Sequence, residues 1–346
     1  MTPHLRPVVD AKPVRRQSRW TDTELMATQF PEPRWAVPGL LCEGLNILAG
    51  APKLGKSWLS LGLGASISTG EPALGVVDVD KGPVLYCALE DTGRRLQRRR
   101  RHMLKAGGRP SPLLTLETSC PPMTAGGDAV IVDWLEANPA ARLVIIDTFE
   151  KMRGTDTPGM SAYAADYLAA GRFKRIADHY EVPILLIHHV RKQGHEDWSA
   201  LVSGTNGLTG AADSILVLER GRGEDTGVLH VTGRDVEEAD YAMRFDSDTG
   251  AWTKLDGPAE DYLMADTRVR LIHHIRAYPG SKPADIAEAL DIKPATVRKT
   301  LGRMVTDGQL RNDRGAYHPP SDTTPAPDPS HLSLCHSTSV DQRERL

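Results

Sequence analysis

Residues 50–57 read Gly-Ala-Pro-Lys-Leu-Gly-Lys-Ser, and their types and spacing suit one task, the cradling of a polyphosphate. Glycines at 50 and 55 free the backbone to turn its N–H groups inward around phosphate oxygens, and a helix opening at Lys56 adds the partial positive charge of its N-terminus. The Lys56 ammonium is long enough to reach β- and γ-phosphates, and the Ser57 hydroxyl is a ligand for Mg²⁺. Between the glycines, Ala51, Pro52, Lys53 and Leu54 form the loop itself, and Trp58 follows on the helix. The apolar run Leu45–Ala49 leads straight into Gly50, while Ser60, Leu61 and Ile67 continue a helical pattern after Lys56. That strand–loop–helix setting is the one this chemistry requires. The ligands implied are ATP and Mg²⁺.

Two further carboxylates follow apolar strands. Asp147 ends the run Leu143-Val144-Ile145-Ile146, and a carboxylate at the C-terminal tip of a buried parallel strand stands where Mg²⁺ and its waters must be held. Asp-Thr is also good helix-capping chemistry, so a cap is the rival reading. Glu90 follows the run Val84–Leu89 at the same end of the sheet, placed to orient and deprotonate an attacking water. Glu150 competes for that role, and a solvated acid at a helix start is the plain alternative for either.

The elements that must position these groups are legible as apolar runs: Leu45–Ala49, Val84–Leu89, Leu113–Leu116, Leu143–Ile146, Pro183–Ile187 and Ile215–Leu218, separated by helical stretches. Runs this apolar predict an α/β core with a parallel sheet buried on both faces. Val228–Thr232, Tyr241–Phe245 and Trp252–Lys254, with tight turns between them, predict an antiparallel extension at the sheet edge. Regular structure is expected from about Gly44, after a loosely ordered arm at 1–33, giving an ATPase domain at 34–257. A linker is expected at 258–266, helices at about 267–277, 283–290 and 294–306, a hairpin over Gln309–His318, and a disordered tail from Pro319.

At 346 residues, 40% hydrophobic and 25% charged, the chain fits one large domain and a small one. No stretch approaches the roughly 20 apolar residues of a membrane span, and the first residues lack a signal peptide's apolar core. The expectation is a cytoplasmic protein without a membrane partner. Four cysteines, Cys42, Cys87, Cys120 and Cys335, lie far apart in sequence and read as reduced thiols. A net charge of −3 excludes a general polycation. Its distribution is uneven, however: residues 266–320 sum to +4 and the rest of the chain to −7.

The order of Gly-x-x-x-x-Gly-Lys-Ser at 50–57, Ala-Leu-Glu-Asp at 88–91, Ile-Ile-Asp-Thr at 145–148 and Ile-His-His-Val-Arg-Lys at 187–192 resembles the RecA-like fold. Within it the likeness is to the RepA/DnaB-type hexameric helicases, AAA-type ATPases of plasmids and phages, and it covers about residues 35–255. The resemblance implies Glu90 as general base and His189 as a sensor of the γ-phosphate. His188 and His189 as a metal pair is a rival, with no third ligand nearby in sequence. In Leu-His-Val-Thr-Gly-Arg-Asp at 229–235, Arg234 matches the arginine finger that enters a neighbouring subunit's site, which implies a homo-oligomer such as a hexamer. Pairing of Arg234 with Asp235 or Glu237 is the bland alternative.

The same resemblance turns the loops 153–161 and 191–206 towards single-stranded DNA, with Arg153, Arg191 and Lys192 as phosphate contacts and Trp198 for base stacking. A lid over ATP fits those loops nearly as well. Six arginines in residues 94–101 attract polyanions, yet they also suit a solvated face or a subunit contact. Residues 267–318 resemble a winged-helix domain in which Thr296, Arg298 and Lys299 face a duplex; such domains also dock proteins. The leading expectation is an ATP-driven DNA motor, a RepA-like replicative helicase of a mobile element. A RecA/RadA-like recombination ATPase and an ATP-switched DNA-binding regulator are the alternatives.

Overall fold

The computed structural model describes residues 19–105, 107–154, 161–190, 206–221, 224–290 and 292–320. Nine strands form the central sheet: β3 (Gly44–Gly50), β4 (Val84–Ala88), β5 (Leu114–Glu117), β6 (Leu143–Asp147), β7 (Pro183–His189), β8 (Ser214–Arg220), β9 (Thr226–Gly233), β10 (Ala239–Phe245) and β11 (Trp252–Pro258). Their order is β11-β10-β9-β8-β3-β7-β6-β4-β5. Strands β3 to β8 are mutually parallel, and β9 to β11 extend the sheet antiparallel. This is the α/β architecture the apolar runs predict.

The inner parallel strands β3, β4 and β6 are buried along their length because both faces carry helices, whereas the edge strand β5 is partly exposed, and the inner strands' side chains alternate between two cores. Leu48, Tyr86, Ile145 and Leu185 join one core with Leu59, Leu61 and Ile67 of helix α2 (Lys56–Thr69). Ile47, Cys87, Val144 and Leu186 join the other, with Ile131 and Leu135 of α4 (Gly127–Ala137) and Phe173 of α6 (Ala162–Tyr180). Helix α3 (Gly93–Leu104) lies beside α2, with Leu96 and Met103 on the first core. Helix α5 (Phe149–Arg153) follows β6, and the short α7 spans Asn206–Thr209. Strands β1 (Trp35–Val37) and β2 (Leu41–Cys42) pair with each other ahead of β3.

Three expectations at the margins are corrected. The span 1–33 contains a short helix, α1 (Asp22–Ala27), because Thr21 and Glu24 satisfy each other's backbone N–H groups in a capping box. Regular structure thus begins before Gly44. The span 258–266 is helix rather than linker: α8 runs unbroken from Ala259 to Ala277. Burial of Ala259 against Val228 and Ala242, and the Tyr262 hydroxyl donated to the Asp256 carbonyl at 2.6 Å, dock its first turn on the sheet. Tertiary packing overrides the polar composition there. Beyond it lie α9 (Pro283–Leu290), α10 (Pro294–Thr306) and a hairpin of β12 (Arg311–Asp313) and β13 (Ala316–His318), gathered around Leu271, Ile275, Ile286, Val297 and Leu301. The expected tail at 321–346 lies outside the described residues.

The Cys87 and Cys120 thiols, 33 positions apart in sequence, lie close enough to influence each other, which pushes the Cys87 pKa up and the Cys120 pKa down, and Cys120 Sγ donates to the Gly127 carbonyl at 4.0 Å.

Candidate nucleotide site

In the parallel register Gly50 stands opposite His189, and Ala88 opposite Asp147. The C-terminal tips of β3, β7, β6 and β4 therefore carry Gly50, His189, Asp147 and, two residues on, Glu90 to one rim of the sheet. That rim is where ligands of parallel α/β sheets bind.

Gly55 caps the loop with a φ of 101°, and a side chain there would press on the Trp252 ring at 3.1 Å. Trp252 also donates its indole N–H to the Gly55 carbonyl at 3.1 Å. The first residue of β11 thus braces the loop from behind. At Gly50 a β-carbon would meet the Leu218 carbonyl oxygen at 2.7 Å. Glycine is required at both positions, and the loop's shape is held by strands on either side.

Lys56 is 3% exposed, and its ammonium donates to the carbonyls of Gly50 at 2.7 Å and Ala51 at 2.8 Å. Burial lowers its pKa to about 8, partly opposed by the carboxylates of Asp147 and Glu90. Among the described residues its direct hydrogen bonds go to neutral loop carbonyls, which leaves the buried ammonium under-compensated, a deficit that phosphate oxygens would relieve.

Asp147 is 5% exposed and accepts the Tyr86 hydroxyl at 2.7 Å. The same hydroxyl lies 3.2 Å from the Ser60 hydroxyl and 3.4 Å from the Ser57 carbonyl, tying the tip of β6 to the first turn of α2. The N-cap position of α5 is Thr148, which makes no side-chain capping bond. Asp147 is thus committed to the Tyr86 contact. Thr148 donates its hydroxyl to Glu90 Oε1 at 3.3 Å, and the other Glu90 oxygen is 4.0 Å from His189 Nε2. Glu150 is exposed on α5. Burial, reinforced by the Lys56 charge, keeps His189 below the usual imidazole pKa. Burial also lowers His188, whose ring packs edge-on to Phe149.

Arg234 is elsewhere. It follows β9 at the opposite end of the strands, 63% exposed, 3.5 Å from Asp213 Oδ1. Asp213 is bonded to the backbone of Leu45, five residues before Gly50. Arg234 therefore sits roughly 16 Å along the strand direction from its own phosphate loop. Arg153 pairs with Asp166 of α6 at 2.6 Å. Arg191, Lys192 and Trp198 lie outside the described residues, as do 155–160 of the other loop. Thr296, Arg298 and Lys299 are exposed on α10.

Sequence reasoning missed Tyr86, Trp252 and Thr148. It also missed Tyr163 and Tyr167, exposed and stacked at 6.5 Å on the first turns of α6; their four-residue spacing was the available signal.

Among the described residues no group of three or more His, Cys, Asp or Glu side chains could hold a metal ion unaided. A divalent ion between Ser57 and Asp147 would take its remaining ligands from phosphate and water, as Mg²⁺ does. The residues present fit a magnesium–nucleoside triphosphate.

Residues 10–195 match the AAA_25 family, an AAA domain. The match covers more than half the chain. The protein belongs to this AAA domain family. Its core also shares the fold of a solved ATPase domain, with a TM-score of 0.50 at 14% identity over 62% of this chain and 85% of that one. A DnaB-like replicative helicase, solved in a study of its interactions with primase, gives a TM-score of 0.51 at 14% identity over 62% of this chain. The chain spans 59% of that helicase. No curated protein matches the chain. The matched span includes residues 50–57, Glu90, Asp147 and His189, and ends before Arg234. Among the described residues no helix is long and apolar enough to cross a membrane.

Proposed function

We propose that the protein is an ATP-hydrolysing DNA motor, a replicative helicase of the RepA-like type found on mobile elements, working as a homo-oligomer such as a hexamer. The observation that carries the reading is the gathering of a buried lysine, a buried aspartate, a glutamate and a histidine around the tips of four neighbouring strands, with Arg234 turned to the far end. When bound, Mg²⁺·ATP supplies the scissile phosphoanhydride and the charge that Lys56 lacks.

Lys56 would hold the β- and γ-phosphates, and Ser57 and Asp147 would hold Mg²⁺. Tyr86 fixes the Asp147 carboxylate through its hydroxyl. Glu90, steadied by Thr148, takes a proton from the attacking water. His189, neutral and close to Glu90, presents Nε2 to the γ-phosphate position and carries that contact to the chain leading into loop 191–206. Arg234 serves a neighbouring copy, where it stabilises charge on the transferred group. Residues 267–318 act as a winged-helix module, offering Thr296, Arg298 and Lys299 to duplex phosphates.

The exposed basic face of α10 also favours a second reading, an ATP-switched regulator that binds a duplex through that module. ATP hydrolysis measured with no DNA, single-stranded DNA and duplex DNA, beside a strand-displacement assay, separates the two. The motor requires stimulation by single strands together with displacement. Tight duplex binding with neither would leave the regulator.

A further inference from the structure

The arginine-rich helix α3 is not uniformly free. Arg95 reaches Asp91 at 3.3 Å and also donates to the Glu90 carbonyl; Arg99 pairs with Asp91 at 2.6 Å and lies over the Trp58 ring; Arg100 contacts the Met103 sulfur at 3.8 Å. What remains is a stripe of Arg94, Arg98, Arg101 and Lys105, spaced four, three and four residues apart, all exposed and with no ion pair among the described residues. It extends about 16 Å along one helix face.

A complementary surface exists on the same molecule. The turn between β9 and β10 presents Asp235, Glu237 and Glu238, exposed and likewise without an ion pair among the described residues, beside Arg234. The two surfaces are kept apart within one copy. The start of α3 is at the phosphate-loop end of the sheet, where Arg95 holds the Glu90 carbonyl, and His102 near its end lies 5.9 Å from Trp58 of the first turn of α2 between ring centroids. The acidic turn is at the other end of β10, about 20 Å away along the strand. Strand β4, which feeds α3, is second from one edge of the sheet, while β10 and β9 are second and third from the other.

We propose that the acidic turn of one copy docks on the α3 stripe of the next, and that this charge pairing orients subunits head to tail. A patch and its complement at separate places on one chain make a heterologous contact, which closes a ring or extends a filament. The proposal rests on the trans assignment of Arg234 and gives it a mechanism. Helix α3 begins three residues after Glu90, so a turn seated on the stripe's first residues brings its Arg234 to the rim that Glu90 occupies. Glu237 and Glu238 then meet Arg98 and Arg101, and like charges elsewhere on the two faces reject the reversed orientation.

The test uses full-length protein with Mg²⁺ and a non-hydrolysable ATP analogue, followed by sedimentation velocity at low and moderate salt. Variant Arg98→Glu/Arg101→Glu carries two acidic faces, and variant Glu237→Arg/Glu238→Arg two basic ones. Each alone self-associates about tenfold or more weakly than wild type while melting normally. Mixed, they assemble with each other in equal numbers, because each face again meets its opposite. Association of either variant alone at wild-type strength, or failure of the mixture to assemble, overturns the proposal. If Arg98→Glu/Arg101→Glu instead assembles normally and loses affinity for a labelled single strand, the stripe is a nucleic-acid surface. Mixing Arg234→Ala with Lys56→Ala subunits tests the finger separately: activity recovered there without the charge dependence leaves the finger standing and removes the docking.

Discussion

At the phosphate-loop end of the sheet, Lys56 and Asp147 are 3% and 5% exposed and held by named partners; at the other end of the same strands, Arg234 is 63% exposed beside three carboxylates that have no ion pair among the described residues. Ionisable groups are buried at a cost that only a partner repays. On the proposed reading, the partner at the first end is a small anion that enters the loop, and the groups at the second keep their hydration until another copy of the chain arrives. Substitutions at the first end should therefore act within a subunit, and those at the second between subunits.

The largest effect should come from Lys56→Ala, which removes the buried cation proposed to hold the phosphates and should reduce hydrolysis by about 10³-fold or more. Circular dichroism should show the fold intact. Arg234→Ala should lower turnover by about 10³-fold with nucleotide affinity nearly unchanged. The comparison is sharpest on mixing these two defective proteins. Activity should return, since a normal loop on one subunit meets a normal finger on the other. Absence of recovery, with mixed oligomers verified, would move Arg234 out of the reaction.

Glu90→Gln should keep ATP affinity and lose about 10²- to 10⁴-fold in turnover, leaving nucleotide trapped in single-turnover measurements. Glu150→Gln should be near neutral, because that carboxylate is exposed on α5 while Glu90 is braced by Thr148 and faces His189. The reverse pattern would transfer the base to Glu150.

Much of the first end was readable because its residues follow strands: a carboxylate after an apolar run must appear at the sheet's rim, whichever helices intervene. Asp147 and Glu90 were located by that argument alone. Tyr86 was not, since a tyrosine inside the run Val84–Leu89 reads as core, and nothing local shows that its hydroxyl will meet Asp147, 61 residues away. Trp252 was hidden for the same reason: its bond to Gly55 spans 197 residues. The C-terminal helices were legible from their 3.6-residue periodicity, but the start of α8 was not, because packing of Ala259 on Val228 and Ala242 sets it. Arg234 could be named as a motif residue; only the register of β8 with β9, which pairs Ser214 with Gly233, shows it to be remote from its own loop.

Tyr86→Phe tests whether the interlocking at the buried end has a function beyond stability. Loss of one hydrogen bond between fully buried groups should cost about 1–3 kcal/mol. If the hydroxyl also aims Asp147 at the metal, half-maximal activation should require about tenfold more Mg²⁺, with the KM for ATP at saturating Mg²⁺ unchanged. A purely structural role would lower the melting temperature and leave the Mg²⁺ titration where it was.

The smallest effect is also the most specific to the buried end. Burial lowers the Lys56 pKa to about 8 in the free protein, and bound phosphates restore charge around the ammonium and raise it. Binding is therefore favoured by the protonated form: it is complete below pH 8 and weakens as pH rises through the free-state value. Between pH 7 and pH 9 the affinity for Mg²⁺·ATP should fall about tenfold. Stability of the free protein has the opposite slope. The unfolded lysine holds its proton up to about 10.4, so between pH 8 and that value the unfolded chain binds more protons and the Lys56 contribution favours folding as pH rises. Lys56→Arg supplies the control, because a guanidinium stays charged across the range; its affinity, whatever its absolute value, should be flat from pH 7 to pH 9. Isothermal titration at three pH values for both proteins reads the difference. Equal slopes for lysine and arginine would mean that the ammonium is already fully charged before ATP arrives, and that its burial leaves no deficit for the nucleotide to relieve.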